Sequence, residues 1–267
     1  MSNVTIGFVG AGNMGEALIK GALTYIPAQN IGFMESSQER KTYISQTYKI
    51  NCLASYEQLN AYDICILAIK PQTVPEIVET LSKSLSAKTL IVSIIAGISI
   101  DYFKKYFPES KIIRVMPNTP CLINEGMSGL SFSSNCKASD KKVVSNLFKQ
   151  VGEVLTVKEQ LINSVTALSG SGPAYFYYIA DVFAQEAHAL GVNYQEALKL
   201  VCQTMLGSAK MLLSTDKTPQ ELIKMVTSKG GTTEAALKVL KSSSVSDIIS
   251  DTILAAKKRA EELGGKK

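Results

Sequence analysis

The chain has 267 residues, of which 46% are hydrophobic and 19% are charged, with 28 Lys and Arg against 23 Asp and Glu. This hydrophobic share excludes global disorder, because there is enough apolar surface to offset the conformational entropy lost on folding. The 18 glycines follow no triplet repeat and 5 cysteines are few for this length, which excludes the collagen-like and disulfide-dense classes.

The net charge and the lengths of the apolar stretches indicate which classes of partner to expect. The net charge is +5, and the basic excess is spread along the chain with its densest part at residues 257–259 and 266–267. Nucleic-acid-binding proteins concentrate basic residues on one face or arm, so we expect no nucleic-acid partner. The longest apolar stretch, Leu90 to Ile100, is shorter than the roughly 20 residues that span a bilayer. We expect a cytoplasmic protein with no targeting segment and no membrane partner.

The cysteines and the histidine indicate neither disulfides nor a metal. No two cysteines form a C-x-x-C pair. Cys52, Cys65 and Cys202 lie in apolar or helical runs, and we expect them to be small core residues in a reducing compartment. The single histidine, His188, has no neighbouring His or Cys in the sequence, so we expect no metal site.

Residues 1–155 alternate short apolar runs with helical patterns. The run at residues 63–69 is almost entirely apolar, as expected of a strand that is buried on both faces. Strand–helix alternation predicts a parallel sheet with helices on both sides. The predicted strands are Val4–Val9, Ile31–Met34, Asp63–Ile69, Leu90–Ile95 and Lys111–Val115, and the predicted helices between them are Met14–Thr24 and Val74–Leu85.

From about Ile162 onward nearly every segment has helical periodicity. The segment Thr218 to Glu221 is a capping box, and Ser244 or Ser246 can begin a last helix that ends before Gly264. The sequence therefore predicts a doubly wound α/β N-terminal domain, residues 1–160, followed by an all-α C-terminal domain, residues 161–267.

A glycine-rich turn follows the first predicted strand and opens the first helix. Gly10-Ala11-Gly12-Asn13-Met14-Gly15 matches G-x-G-x-x-G in the strand–turn–helix context that dinucleotide binding requires. Gly10 permits the tight turn, Gly12 lets a pyrophosphate approach the backbone, and Gly15 lets the helix pack on the strand. The N-terminus of the helix then presents N–H groups and the positive end of its dipole to the phosphates.

The end of the second strand bears on which dinucleotide binds. Glu35 lies where an acid would bond a ribose 2′-hydroxyl and favour NADH. Ser36, Ser37 and Arg40 follow, and hydroxyls with a guanidinium suit a 2′-phosphate. If a 2′-phosphate binds, Glu35 must turn away from it. We expect NADPH as the coenzyme, while NADH use stays open.

The carboxyl ends of the later strands are expected at the same edge of the sheet as the glycine turn, which is called the rim below. Ligands of doubly wound sheets bind outside the carboxyl ends of the strands. Lys70 and Pro71 end one strand, and Lys70 is thus placed to meet coenzyme or substrate. Ala96-Gly97 ends the next strand, where small residues leave room for a nicotinamide. Arg114 to Pro120 ends the strand after that, with two prolines that stiffen its loop.

A second glycine turn lies in the helical half. Gly230-Gly231-Thr232-Thr233 joins a turn to a helix start, and consecutive N–H groups there would form an anion-binding nest suited to a carboxylate. A plain N-capped helix is the alternative interpretation of the same residues.

Taken together, these motifs resemble those of the pyrroline-5-carboxylate reductase family over essentially the whole chain. The segments that carry the resemblance are Gly7–Gly15, Ala68–Pro71, Ile95–Ile98, Arg114–Pro120, Leu168–Tyr175 and Val226–Leu237. It implies a Rossmann domain followed by a helical dimerisation and substrate-binding domain, in a homodimer or larger homo-oligomer. It also implies reduction of 1-pyrroline-5-carboxylate to L-proline, the last step of proline biosynthesis.

The resemblance also implies roles for individual positions. The coenzyme would meet Val9, Gly10, Ala11, Gly12, Asn13, Met14, Ser36, Ser37, Arg40, Tyr56, Ile69, Lys70, Pro71 and Ala96. The substrate would meet Glu159, Gly230, Gly231, Thr232 and Thr233. Met225 stands where some relatives have an Asn that binds the coenzyme, and Lys229 replaces the family's usual Pro.

The chemistry explains why no strong catalytic acid is evident. Protonation of the ring nitrogen gives an electrophilic iminium, so proximity and orientation supply most of what hydride transfer needs. We expect Thr233 and Lys70 to be the catalytic residues, with Thr233 forming a hydrogen bond with that nitrogen and Lys70 acting at the coenzyme side. The alternatives are a reductase of another imine or small acid, and a dinucleotide-binding protein that is not an enzyme.

Overall fold

The computed structural model describes residues 4–265. It contains two compact units. The first comprises the described residues up to Ser171 together with those from Ala255 onward, and the second is Gly172–Leu254.

The first unit is built on a sheet of eight strands in the described part of the chain. Their order is β3-β2-β1-β4-β5-β6-β7-β8, and all neighbours are parallel except β6 and β7. The strands are β1 (Ile6–Val9), β2 (Ile31–Met34), β3 (Asn51–Cys52), β4 (Ile64–Leu67), β5 (Leu90–Ser93), β6 (Ile112–Met116), β7 (Gly126–Phe132) and β8 (Gly152–Thr156). The order of the first six strands is that of a dinucleotide-binding Rossmann sheet, which confirms the predicted fold class.

Helices cover both faces of this sheet. They are α1 (Asn13–Ala22), α2 (Gln38–Tyr48), α3 (Val74–Ser84), α4 (Ile100–Tyr106), α5 (Ala138–Lys149) and α6 (Ile162–Val165), and a single π-helical turn, Thr166–Gly170, follows α6. Successive residues of β4 belong to different cores: Ile64 and Ile66 pack with α1 and α5, whereas Cys65 and Leu67 pack with α3 and α4. This alternation explains why the strand is apolar at every position.

The sequence pattern missed part of this sheet. β7 contains two glycines and two serines, residue types depleted in strands, and it is held by antiparallel pairing with β6. β1 and β4 are also shorter than predicted. Two cysteine predictions were wrong: Cys65 is buried, but Cys52 on the edge strand β3 and Cys202 are exposed.

The second unit is helical, as predicted. It contains α7 (Gly172–Ala189), α8 (Tyr194–Leu213), α9 (Pro219–Met225), α10 (Thr232–Ser242) and the first half of α11 (Val245–Gly265). The capping box at the start of α9 is confirmed, with Thr218 and Glu221 bonding each other's backbone N–H groups. No helix within residues 4–265 is long and apolar enough to cross a membrane.

The two units divide at different positions from the predicted domains. Residues 161–171 belong with the sheet, where Asn163 accepts a hydrogen bond from Arg114 at 3.1 Å. The end of α11 also belongs with the sheet and runs past its predicted end. A Cβ on Gly264 would lie 2.3 Å from the carbonyl oxygen of Gly97, so this glycine allows two backbones to meet and does not terminate the helix.

The burial of α5 gives a matched test of the core. Leu147 on α5 is fully buried, whereas Leu155 on the edge strand β8 is 53% exposed. We expect Leu147→Ala to lower the free energy of unfolding by about 2–5 kcal/mol. Leu155→Ala should cost well under ~1 kcal/mol, with both measured by urea denaturation. Equal losses would show that β8 is covered in solution.

Candidate coenzyme and substrate sites

The glycine turn between β1 and α1 is shaped by two of its three glycines. Gly10 has a φ of +96°, and a Cβ there would lie 2.5 Å from the carbonyl oxygen of Ala68. A Cβ on Gly15 would lie 2.5 Å from the carbonyl oxygen of Gly10. A Cβ on Gly12 would meet no atom within 4 Å. The protein's own packing therefore requires Gly10 and Gly15, whereas Gly12 leaves open space beside the turn.

Side chains and backbone from the end of β2 hold the start of this turn. The N–H of Gly10 donates to the carbonyl of Met34 at 2.8 Å, and the N–H of Ala11 donates to the carboxylate of Glu35 at 3.0 Å. The N–H groups of Gly12, Asn13 and Met14 have no partner among residues 4–265. These three groups lie at the N-terminus of α1, so they are the donors that a pyrophosphate can use.

Two cavities flank the turn. One, of about 560 Å³, reaches the ends of β2 and β4, and the other, of about 430 Å³, reaches the ends of β4, β5 and β6. The first is lined by Val9, Gly10, Gly12, Met34, Glu35, Ser36, Tyr56, Ala68, Ile69, Lys70, Thr73 and Ile77. The second is lined by Gly12, Asn13, Met14, Ala68, Ile69, Lys70, Pro71, Ile94, Ile95, Ala96, Met116, Pro117, Asn118, Thr119 and Gly170.

The two cavities meet at the glycine turn. They share Gly12, Ala68, Ile69 and Lys70, so a ligand can extend across the turn with its phosphates beside the unpartnered N–H groups. Most predicted coenzyme residues line one cavity or both. The sequence did not point to Thr73, Ile77 or Gly170; Ile77 looked like any other apolar position of α3, and only the fold brings these residues to the rim.

Three predicted coenzyme residues, Ala11, Ser37 and Arg40, line neither cavity. Ala11 is fully buried. The Ser37 side chain is the N-cap of α2 and accepts a hydrogen bond from the N–H of Arg40 at 3.3 Å. The Arg40 guanidinium donates to the carbonyl of Ala11 at 2.7 Å and forms an ion pair with Glu16. Their contacts are therefore with the turn and with α1 and α2.

Glu35 also faces the protein. One carboxylate oxygen accepts the N–H of Ala11, and the other accepts the N–H groups of Ser36 at 2.7 Å and Ser37 at 3.1 Å. Burial raises the pKa of this carboxyl, but the hydrogen bonds from Ala11, Ser37 and Ser36 outweigh burial and hold the pKa below its ordinary value. Glu35 lines the first cavity, yet both of its carboxylate oxygens are engaged by the backbone N–H groups of residues 11, 36 and 37.

Lys70 and Asn118 stand at the rim beyond the turn. Lys70 is exposed and lines both cavities. Asn118 accepts the N–H of Met127 at 2.8 Å and donates to the carbonyl of Ser169 at 3.2 Å. Asn118 therefore fixes the loop after β6 to the π-helical turn that contributes Gly170.

Glu159 is engaged elsewhere in the first unit. Its carboxylate accepts the N–H of Ile100 at 2.5 Å and lies 3.5 Å from the guanidinium of Arg114. Arg114 is buried, which lowers the pKa of its guanidinium, while Glu159 opposes that shift. In this structure Glu159 holds the start of α4 and pairs with Arg114, and it lines neither cavity beside the glycine turn.

The threonine turn lies in the second unit at the start of α10. Gly230 has a φ of +72°, and its N–H donates to the carboxylate of Glu234 at 2.7 Å. The N–H of Gly231 donates to the carbonyl of Ser228 at 3.0 Å. The N–H groups of Thr232 and Thr233 have no partner among the described residues. The donors left for a ligand carboxylate are thus those of the threonines rather than of the glycines.

No group of three or more His, Cys, Asp and Glu side chains that could hold a metal ion occurs between residues 4 and 265. The ring of His188 bonds the carbonyl of Val192 at 3.0 Å.

Comparison with known proteins decides the family. Residues 159–263 match the model of the pyrroline-5-carboxylate reductase dimerisation domain, and residues 5–97 match a model described as NADP oxidoreductase, coenzyme F420-dependent. Pyrroline-5-carboxylate reductases of Methanosarcina acetivorans and Pseudomonas aeruginosa are 34% and 35% identical, over 100% and 98% of this chain and the same shares of theirs. The chain belongs to the pyrroline-5-carboxylate reductase family.

Solved structures of the family have the same fold. The Plasmodium falciparum pyrroline carboxylate reductase with NADP bound has a TM-score of 0.89 at 30% identity, covering 99% of each chain. The Coxiella burnetii pyrroline-5-carboxylate reductase has a TM-score of 0.90 at 31% identity, covering 98% of this chain and 99% of its own. An Aquifex aeolicus prephenate dehydrogenase, at 16% identity and a TM-score of 0.55, shares the fold alone.

Two positions of this pyrroline-5-carboxylate reductase family member depart from the motifs set out above. Met225 is exposed at the end of α9, and its thioether cannot donate the hydrogen bond of an asparagine. Lys229 is exposed in the turn before Gly230, where it adds a positive charge near the threonine N–H groups.

The two roles of the glycines can be separated by alanine. Gly12→Ala should fold with unchanged or slightly higher stability, because its Cβ enters open space at an extended backbone. The variant should bind NADPH at least tenfold more weakly, because the added methyl group would occupy the position of the phosphate. Gly15→Ala should lower the melting temperature instead, because its Cβ would press on the Gly10 carbonyl. Unchanged NADPH affinity in Gly12→Ala, measured by fluorescence titration, would contradict this phosphate site.

Proposed function

We propose that the chain reduces the C=N bond of 1-pyrroline-5-carboxylate with NAD(P)H, giving L-proline. The observation that carries this proposal is the pair of cavities that share Gly12, beside three N–H groups without a partner among the described residues, in a chain with full-length similarity to reductases of this name. The P. falciparum structure with NADP bound supports the same coenzyme class. The coenzyme supplies the hydride, and the chain supplies binding and orientation.

In the first unit, the N–H groups of Gly12, Asn13 and Met14 and the dipole of α1 hold the negative pyrophosphate. Ile69, Pro71 and Ala96 line the second cavity, and the small side chain of Ala96 leaves room for a planar ring. Lys70 places a positive charge where both cavities meet. Its ammonium attracts the anionic coenzyme and substrate.

In the second unit, Thr232 and Thr233 bind the substrate. Their N–H groups, which have no partner within residues 4–265, hold the carboxylate at the N-terminus of α10. The hydroxyl of Thr233 forms a hydrogen bond with the ring nitrogen and keeps the C=N bond oriented. Because the iminium is already electrophilic, no strong acid is needed.

NADPH is the preferred coenzyme in this proposal. Ser36 is exposed and lines the first cavity, and its hydroxyl, which donates to Glu35 at 3.2 Å in this structure, can rotate to donate to a 2′-phosphate. The carboxylate of Glu35, which would repel that phosphate, is occupied by backbone N–H groups.

The function is tested by following NADPH absorbance with the purified protein and added 1-pyrroline-5-carboxylate. Consumption that depends on the imine, with L-proline as product, is the expected result. Turnover of a different imine or a 2-oxo acid alone would indicate a related reductase. Coenzyme binding without turnover of any of these would indicate a binding protein.

The role of Thr233 has its own prediction. Thr233→Ala should lower kcat/KM for the imine by up to ~10²-fold with NADPH affinity unchanged, the effect of one positioned hydrogen bond. Thr233→Ser keeps the hydroxyl and should recover most of the activity. Thr80→Ala, at an exposed helical threonine, is the control. Steady-state kinetics identical to the unmodified protein would rule out this role.

The second unit also supports a homodimer or larger homo-oligomer. It exposes many large apolar side chains, far more than a monomeric helical domain leaves in water. Those on α7 are Phe176, Tyr177, Tyr178, Ile179, Val182 and Phe183. This stretch lies within the region that matches the dimerisation model. The five free thiols agree with a reducing, cytoplasmic setting.

Assembly is tested by light scattering coupled to gel filtration. The expected mass is at least twice that of one chain. Phe183→Asp should shift the protein toward monomer, because a charge at an apolar interface is costly to desolvate. A monomeric, fully active protein at micromolar concentration would contradict the proposed assembly.

A further inference from the structure

We propose that Glu35 and Arg40 are positioning residues that hold the glycine turn for NADPH and NADH alike, and that neither one discriminates the 2′ group of the coenzyme. The proposal rests on the coenzyme site described above, and it does not depend on the identity of the substrate. It differs from the sequence expectation, in which Glu35 favours NADH and Arg40 favours NADPH.

The side chains of Glu35 and Arg40 form hydrogen bonds with the N–H and the carbonyl of the same residue, Ala11. Glu35 accepts the N–H of Ala11 at 3.0 Å, and the Nε of Arg40 donates to the carbonyl of Ala11 at 2.7 Å. Ala11 is fully buried, and the next residue, Gly12, is exposed with an N–H that bonds no residue in the part of the chain that the structure describes. The carbonyl of Ala11 and the N–H of Gly12 belong to the same planar peptide group. Arg40 therefore fixes the direction in which the first phosphate donor points.

Glu35 is fully engaged in this task. Besides the N–H of Ala11, its carboxylate accepts the N–H groups of Ser36 and Ser37 and, at 3.2 Å, the hydroxyl of Ser36. The dipoles of these donors oppose the field of its negative charge and keep its pKa below the ordinary value, so it stays ionised. A carboxylate held in this way repels a 2′-phosphate weakly and has little capacity left for a ribose hydroxyl.

Arg40 is fixed on a second side. Its Nη2 pairs with the carboxylate of Glu16 on α1, which also accepts the hydroxyls of Tyr43 at 3.1 Å and Tyr48 at 2.6 Å. The guanidinium carbon lies 5.1 Å from the centre of the Tyr43 ring. The planar guanidinium thus bridges the turn and the first helix, which a lysine, with a single ammonium, cannot do at both ends.

Positioning and discrimination predict opposite results. If Glu35 selected NADH and Arg40 selected NADPH, Glu35→Gln would raise the affinity for NADPH relative to that for NADH. Arg40→Met would then lower the affinity for NADPH and leave that for NADH unchanged. If both hold the turn, each variant weakens both coenzymes and leaves the ratio of the two affinities unchanged. The glutamine is informative because its NH₂ group cannot accept an N–H, so the side chain cannot serve the N–H of Ala11 and those of Ser36 and Ser37 at the same time.

The experiment is a fluorescence titration of the full chain with NADPH and with NADH. For Glu35→Gln and Arg40→Met we expect both Kd values to rise about tenfold, the effect of one charge-assisted hydrogen bond, with their ratio changed less than about twofold. Glu39→Gln and Lys41→Met remove the same charges from neighbouring positions of α2 and should leave both Kd values unchanged. Ser36→Ala should weaken NADPH alone. A selective change in either main variant would overturn the proposal.

A fragment and a conservative variant separate positioning from mere destabilisation. The affinity for 2′-AMP, which carries the 2′-phosphate but no pyrophosphate, should be unchanged in Glu35→Gln and Arg40→Met. Arg40→Lys should recover part of the lost affinity. At saturating NADPH we expect kcat to be unchanged while the KM for NADPH rises. The proposal would be overturned if the affinity for 2′-AMP fell as much as the affinity for NADPH. It would also be overturned if the variants had a lower melting temperature but their folded fraction bound the coenzymes with the normal Kd.

These measurements are also independent of the reductase assignment. Coenzyme titration needs no imine. If the protein had no reductase activity but its variants still lost affinity for NADPH and NADH in parallel, the proposed function would be wrong and this inference would stand. Should Glu35→Gln fail to fold, the Arg40→Lys and Arg40→Met pair decides the outcome.

Discussion

The close backbone contact among β1, α1 and β4 is the constraint on which the coenzyme site depends. Gly10 adopts a left-handed backbone against the carbonyl of Ala68, and Gly15 packs on the carbonyl of Gly10. No side chain fits at either position. Because the turn is this tight, α1 begins directly beside the end of β4, and its N-terminal N–H groups stay exposed at the rim where Ile69 and Lys70 arrive. The cavities on either side follow from that geometry.

Three glutamates near the candidate sites share a structural use. Glu35 accepts the N–H of Ala11, Glu159 accepts the N–H of Ile100, and Glu234 accepts the N–H of Gly230. Each stabilises a turn or a helix start. Beside Glu35 and Glu234, the N–H groups of residues 12–14 and of residues 232–233 have no partner in the described part of the chain. This arrangement suits a reaction that needs anion binding and orientation more than acid catalysis. A carboxylate in a cleft is therefore not by itself a catalytic acid.

The structure also places the two kinds of binding group in different units. The dinucleotide cavities are built by the sheet and its helices, whereas the threonine turn belongs to the helical unit. The chemistry demands both, since a hydride donor is useless without an oriented C=N bond. The many exposed apolar side chains of the helical unit agree with a domain that completes its core by association.

The sequence alone determined the α/β-then-helical order, the glycine turn and the family, because apolar periodicity and glycine spacing are local properties of the chain. It also located Thr232, Thr233, Lys70 and Ala96, whose roles remain predictions. It missed β3, β7 and β8. β3 has only two residues, and β7 contains two glycines and two serines and is held by its pairing with β6 and β8. It could not show what Glu35 and Arg40 touch. Only the tertiary structure brings the end of β2 and the first turn of α2 against Ala11, and hydrogen bonds between residues 24 and 29 positions apart leave no trace in local patterns.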